Sequence, residues 1–158
     1  MIAPTALLQR FRYLYRGIIR PPNCNVQWNQ EGSFFMTISE AIARIDSLKP
    51  NTYSVKQKIC WLSNLEAMVK QLVIDTQEGG DSLPFDGFHD NTDTQTQLFL
   101  YAPFDMAYIY WLEAQIHYAN EDVSLYNSAM AMFQTVFRAY QRHYAQNHAS
   151  RIAGRLRF

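Results

Sequence analysis

The sequence predicts an all-α fold, a helical bundle of about four main helices with a long loop after helix 2 and a long C-terminal helix. Apolar residues recur at spacings of three and four along four segments, and capping boxes precede two of them. Glycine and proline are few, at six each, which argues against a many-turned chain. With 158 residues, 48% of them hydrophobic, the chain can bury a core as one domain.

The first two predicted helices are marked by caps and breakers at their ends. The first spans about residues 38–48, behind a capping box formed by Thr37 and Glu40, and Pro50 prevents its continuation. The second spans about residues 54–75 and opens with another capping box at Ser54. Its apolar stripe comprises Val55, Ile59, Leu62, Leu65, Val69 and Leu72.

The third and fourth predicted helices differ in how their apolar residues are distributed. The third begins at Pro103 and is apolar around most of its circumference, which predicts burial by several neighbours. The fourth spans about residues 122–147, with Asp122 as its N-cap. At about 39 Å it is too long for one partner helix to cover, so its far end should protrude or meet another chain. Apolar residues that alternate spacings of three and four form its predicted packing seam, which comprises Val123, Tyr126, Met130, Phe133, Phe137, Tyr140 and Tyr144.

Residues 78–101 form a long connection between the second and third predicted helices, rich in glycine and aspartate. A connection this long inside a small domain usually serves a function or a partner surface. Within it, residues 96–101 are expected to form a short strand or an extended arm.

Charge is distributed unevenly along the chain, although the formal net charge is zero. Residues 1–35 carry four arginines and one glutamate, a sum of +3. Residues 36–137 carry five basic and thirteen acidic residues, a sum of −8, and residues 138–158 carry five arginines and no acid, a sum of +5. Such asymmetry usually concerns partners rather than fold.

Three parts are expected along the chain: a leader or start-site extension at residues 1–35, a helical domain at residues 36–149 and a basic tail at residues 150–158. The codons for residues 30–32 can contain a purine-rich ribosome-binding sequence shortly before the Met36 codon. An alternative for the leader is a basic amphipathic helix at a membrane surface. Its apolar face would consist of Leu7, Phe11, Leu14 and Ile18.

The search for chemistry yields no specific catalytic constellation, so we expect a protein that is not an enzyme and that holds no cofactor or metal. Cys24 and Cys60 lack metal-ligand spacing, and neither a phosphate-binding loop nor a nucleophile elbow is present. His89 lies among three aspartates, but without EF-hand spacing a solvated acidic loop is the better interpretation. The sequence contains no run of about 18 apolar residues, so we expect no membrane-spanning helix.

Several stretches of the sequence resemble small head–tail connector proteins of tailed bacteriophages. Residues 36–53 (MTISEAIARIDSLKPNTY) and 58–66 (KICWLSNLE) resemble the opening of that family. Residues 100–120 (LYAPFDMAYIYWLEAQIHYAN) and 126–133 (YNSAMAMF) continue the resemblance in the same order. It covers about residues 36–150 and leaves the leader outside.

The resemblance implies a structural protein of the virion neck, assembled in the bacterial host cytoplasm as a ring of about twelve copies under the portal. The ring would extend the DNA channel and give the stopper or tail a docking surface. The implied partners are other copies of the chain, the portal protein and a head-closure or tail protein. DNA would pass through without sequence-specific binding, and no membrane is involved. A generic helical adaptor, or a membrane-surface protein using residues 1–35, are the alternatives.

The resemblance also implies two sets of contact residues, by analogy with the family. Contact with the portal is implied for Arg138, Arg142, Arg151, Arg155, Arg157 and Phe158. Contact with a neighbouring subunit is implied for the loop residues Leu83, Phe85, Phe88, Leu98, Phe99 and Tyr101.

Overall fold

A computed structural model of the chain describes residues 35–77, Gly80 and residues 84–148. Within these residues the fold is mainly helical, as predicted, but it also contains one small two-stranded sheet, so it is mainly α rather than all-α. Its strands are β1 (Phe35–Thr37) and β2 (Gln97–Tyr101). Its helices are α1 (Ile38–Leu48), α2 (Val55–Val69), α3 (Met106–Ala119) and α4 (Val123–Asn147), with a π-helical segment at Lys70–Ile74.

Helix α1 begins at the predicted capping box. The Glu40 N–H donates to Thr37 Oγ1 at 3.2 Å, and the Thr37 N–H donates to Glu40 Oε2 at 2.9 Å. These reciprocal bonds satisfy backbone donors that have no partner inside the first helical turn. The helix ends at Leu48, just before Pro50, as predicted.

Helix α2 begins behind Ser54, whose Oγ accepts from the Gln57 N–H at 3.2 Å. The predicted end near Asp75 is also correct, although the last turn is π-helical rather than α-helical. The Asp75 N–H donates to the Lys70 carbonyl, five residues back, at 2.8 Å. This wider turn places Val73 and Ile74 in the core.

Helix α3 begins at Met106, three residues later than predicted. Pro103 lies instead in a turn closed by the Phe104 N–H, which donates to the Tyr101 carbonyl at 2.8 Å. The helix packs against α1, α2 and α4, and so occupies the centre of the helical body. Burial on several sides explains why its sequence is apolar around most of its circumference.

Helix α4 is the longest element, with 25 residues against 14 in α3, or about 37 Å against about 21 Å. It packs mainly on α3, and Phe133, Phe137 and Tyr140 of the predicted seam are buried. Val123, predicted to open that seam, is instead 69% exposed. Residues 145–148 at the far end are exposed.

The two strands tie the start of α1 to the segment that precedes α3. They pair antiparallel with an irregular register, Phe35 opposite Tyr101 and Thr37 opposite Gln97. The Ile38 N–H also donates to the Thr96 carbonyl at 3.1 Å. Phe35, assigned to the leader by sequence, therefore lies in a strand, and residues 1–34 lie outside the described part of the chain.

Candidate functional site

Two of the six residues expected to contact the portal lie within the described part of the chain. Arg138 and Arg142 are exposed and four residues apart on α4, so they share one face of that helix. This face is opposite the one that carries buried Phe133 and Phe137. The remaining four, Arg151, Arg155, Arg157 and Phe158, lie outside the described residues.

The loop expected to reach a neighbouring subunit instead packs partly on its own helical body. Phe85 contacts Phe88 and Phe99 edge-on, with ring centroids 5.2 and 5.4 Å apart. The Phe88 N–H donates to Ser63 Oγ of α2 at 2.8 Å. All three rings are half-buried, so each keeps part of its surface accessible.

The other residues of that predicted set lie in different environments. Leu98 is 1% exposed and belongs to the core, because Leu98 and Leu100 of β2 share the inward face of the strand. The Tyr101 ring lies on the side of the body near the C-terminal half of α4, against Tyr140 and His143. Leu83 lies outside the described residues.

The described part of the loop, residues 84–96, is fastened to α2 by few contacts. Gly87 has φ of +93°, a conformation that favours glycine, and a Cβ there would lie 3.1 Å from Ser63 Oγ. Lys56 Nζ binds Asp90 Oδ2 at 2.6 Å, but both side chains are exposed, so this ion pair contributes little. Among the described residues, the acids around His89 form no group of metal ligands.

An aromatic cluster joins β2, the following turn and the C-terminal half of α4. Phe104 packs against Tyr140 and His143, with ring centroids 5.4 and 5.2 Å apart. Tyr144 stacks on His148 at 3.9 Å, which extends the aromatic contacts to the end of the helix. Burial, together with neighbouring charges, raises the pKa of Tyr140 above its ordinary value.

A buried polar network that the sequence did not predict links α2, α3 and β2. Glu66 of α2 is 1% exposed, and its Oε2 accepts from the Phe99 N–H at 2.9 Å. Its Oε1 accepts from the hydroxyl of Tyr108 on α3, which is fully buried. The Tyr108 oxygen in turn accepts from the Leu100 N–H at 2.8 Å. Two side chains thus bind consecutive backbone amides of β2, and we call this network the β2 latch.

The electrostatics of the β2 latch are dominated by burial. Burial raises the pKa of Glu66 from 4.5 to about 7, although the hydrogen bonds from Tyr108 and the Phe99 amide act in the opposite direction. Burial and the nearby Glu66 charge raise the pKa of the Tyr108 hydroxyl. Within the described residues, no lysine, arginine or histidine forms an ion pair with Glu66.

The sequence does contain a signal for the β2 latch. Glu66 lies four residues after Leu62 and three before Val69, which is the spacing of the buried stripe of α2. A carboxylate at such a position must find hydrogen-bond donors or remain neutral. Lys58, also on the buried side of α2, is the second polar exception, and its Nζ binds Asp46 Oδ1 of α1 at 2.6 Å.

An apolar patch lies at one end of the helical body, where α1 and α3 end and α2 and α4 begin. The Tyr53 hydroxyl donates to Asn120 Oδ1 at 2.6 Å and joins the two turns there. Lys49 Nζ binds Glu113 Oε1 at 2.9 Å near the same end. We call this surface the end patch, and its exposed side chains are Leu48, Val55, Tyr118 and Val123.

Comparisons with known proteins identify no relative of this chain. The chain matches no protein-family model, no curated protein and no solved structure. Separately, no helix in the described residues is both long enough and apolar enough to cross a membrane.

Proposed function

We propose that this chain is a structural neck protein of a tailed bacteriophage, which assembles as a ring of about twelve copies under the portal. The ring extends the DNA channel and provides the docking surface for the stopper or tail. The observation that carries the proposal is the resemblance of residues 36–150 to head–tail connector proteins.

The arrangement of the two candidate surfaces supports this proposal. A closed ring of identical subunits needs two different surfaces on each subunit, which meet head to tail. Helix α4 packs mainly on α3, whereas residues 84–96 are attached to α2 through Ser63 and Lys56. Helix α3 contacts both α2 and α4, so the loop on α2 and the exposed face of α4 belong to different elements of the subunit.

The charges of these two surfaces also support the proposal. No lysine or arginine occurs from Gln71 to Phe137, and no aspartate or glutamate occurs after Asp122. The loop is therefore acidic, whereas the exposed face of α4 is basic at Arg138 and Arg142. Surfaces of opposite charge favour different partners, so a basic face for the portal and an acidic loop for a neighbouring copy would keep the two contacts from being exchanged. An acidic channel wall would repel the phosphates of passing DNA.

The end patch supplies a surface suited to a further protein of the neck. Large exposed apolar side chains that lie close together commonly mark protein–protein contacts. Two polar pairs lie beside it, Lys49 with Glu113 and Tyr53 with Asn120. Covering paired groups costs less than burying unpaired ones, which suits docking of a head-closure or tail protein.

The proposal is tested by the assembly state of the purified full chain. We expect native mass spectrometry and negative-stain electron microscopy to detect closed rings with a central opening, alone or with the portal protein of the same genome. A chain that remains monomeric at every concentration and does not bind that portal would contradict the proposal. This result would favour a generic helical adaptor.

The portal contact has its own matched test. Replacing Arg138 and Arg142 together by glutamine should weaken portal binding about tenfold or more, measured by biolayer interferometry. The control is Arg44→Gln, because Arg44 is an exposed cation on α1, outside α4, the loop and the end patch. A loss per arginine as large in the control as on α4 would mean that net charge, rather than the α4 face, determines binding.

A further inference from the structure

Strand β2 is held to the helical body by groups that change their hydrogen bonding when a proton binds. An ionised Glu66 accepts both from the Phe99 amide and from the Tyr108 hydroxyl. A neutral carboxyl with its hydrogen on Oε1 can donate to the Tyr108 oxygen, so that bond reverses direction while Oε2 still accepts from the Phe99 amide. The β2 latch therefore has two protonation states with the same partners, which differ in the charge that is buried at Glu66.

We propose that docking of β2 on the helical body is coupled to proton binding at Glu66. The ionised state favours opening of β2 together with the preceding loop, and the neutral state favours the docked strand. This coupling is independent of the neck function proposed above.

Among the described residues, the surroundings of Glu66 offer hydrogen bonds but no compensating positive charge. From α3 the Tyr108 hydroxyl faces the carboxyl, and Tyr140 of α4 interacts with it electrostatically. From β2 only backbone amides donate to it. Lys70, one turn further along α2, binds Asp75 instead. An ionised Glu66 is thus a buried charge stabilised by dipoles alone, and hydration would stabilise it further.

Among the elements around Glu66, β2 is the one that can move most easily. Moving α2 or α3 would expose the apolar core that surrounds Leu65 and Leu112. Among the described residues, strand β2 pairs with the three-residue β1 alone, the pairing is irregular, and opening would expose only Leu98 and Leu100 of the β2 core residues. The loop before it is attached by one exposed ion pair, by the Ser63 hydrogen bond, and by the Ile38 and Ser39 N–H groups, which donate to the Thr96 and Thr94 carbonyls. Opening of this segment is the least costly way to hydrate the carboxylate.

The direction of the coupling follows from the carboxyl's pKa in each state. The pKa is about 7 when β2 is docked and 4.5 when the carboxyl is solvated, so docking takes up a proton. Docking is therefore strongest at acidic pH and weakens as the pH rises through about 7. Between about pH 5.5 and about pH 8.5, the open population should rise about thirty-fold.

Hydrogen–deuterium exchange of the full chain tests this coupling. Peptides covering residues 97–101 are measured at both pH values, with labelling times scaled to the intrinsic exchange rates. We expect the wild type to lose protection there at the higher pH by a factor of about 30, while peptides from the middle of α4 change far less. In Glu66→Gln the factor should fall to that of α4, because glutamine does not titrate.

The matched control is Glu121→Gln, the same chemical change at an exposed residue between α3 and α4. It should leave the pH response of residues 97–101 at the wild-type value. An unchanged protection factor in the wild type, or a full pH response in Glu66→Gln, would overturn the proposal.

A second measurement needs no variant and remains decisive even if Glu66→Gln does not fold. Carbon-13 NMR of side-chain carboxyls should show one glutamate titrating near pH 7, with the amide signals of Phe99 and Leu100 shifting at the same midpoint. If every glutamate titrates at its ordinary pKa of about 4.3, the inference is wrong.

Discussion

The ion pair between Lys58 and Asp46 should respond very unequally to removal of its two partners. The Lys58 side chain is 3% exposed, whereas the Asp46 side chain is 40% exposed. They meet at 2.6 Å between Nζ and Oδ1, and Asn51 Nδ2 donates to the same oxygen at 2.8 Å. Removal of Asp46 leaves a buried ammonium without a counter-charge, whereas removal of Lys58 leaves a carboxylate that water can reach.

These exposures set the expected free energies of unfolding. Asp46→Ala should cost about 3 kcal/mol, since it leaves a buried charge unpaired. Lys58→Met should cost about 1 kcal/mol or less, because methionine fills the same space and Asp46 is hydrated. The double variant should lie close to Lys58→Met, so that adding the methionine restores about 2 kcal/mol to Asp46→Ala.

Urea unfolding near neutral pH, followed by far-ultraviolet circular dichroism, measures all four proteins. Equal m-values among them would show that the change lies in stability rather than in the surface exposed on unfolding. The reasoning is refuted if Lys58→Met costs as much as Asp46→Ala, or if the double variant is no more stable than Asp46→Ala.

Three further predictions concern the buried network and the core. The contribution of Glu66 to the free energy of unfolding should fall by at most about 3 kcal/mol as the pH rises from 4.5 through about 7. Urea unfolding of Glu66→Gln should not show this pH-dependent fall. Tyr108→Phe should cost about 2 kcal/mol, because it leaves a strand amide and a carboxylate oxygen unsatisfied, whereas Tyr110→Phe, measured alongside it, should change stability by less than about 0.5 kcal/mol. Thermal unfolding should show that Phe133→Ala costs about 4 kcal/mol and that Met132→Ala, at an exposed position of the same helix, costs far less; similar losses would contradict the assigned burial.

The helix boundaries that the sequence predicts well are those set by hydrogen bonds within a few residues. The capping box at Thr37 and the caps at Ser54 and Asp122 each join groups three residues apart, so neighbouring residue types are sufficient to reveal them. The start of α3 was predicted three residues too early. Proline is equally suited to the first turn of a helix and to a β-turn before it, and Pro103 lies in such a turn.

The features that the sequence did not predict depend on contacts between distant segments. Pairing of β1 with β2 joins residues sixty or more positions apart, for example Phe35 with Tyr101. Leu98 was assigned to a subunit interface because it lies in the long connection, yet alternation along β2 directs it into the core. The hydrogen-bond donors to Glu66 belong to β2 and α3. Its position in an apolar stripe therefore indicates a buried carboxylate but does not identify these donors.

The buried polar groups explain why the apolar core adopts one arrangement. Apolar contacts are not directional, so the stripe of α2 would pack almost equally well after a rotation or a shift by one turn. Such a shift would separate Lys58 from Asp46 and Glu66 from the Phe99 amide, leaving charged groups buried without partners. Lys58 thereby fixes α2 against α1, and Glu66 fixes α2 against β2 and α3. In the ring proposed above, each subunit would present α4 and the loop to identical neighbours, and such a subunit needs this kind of fixed register.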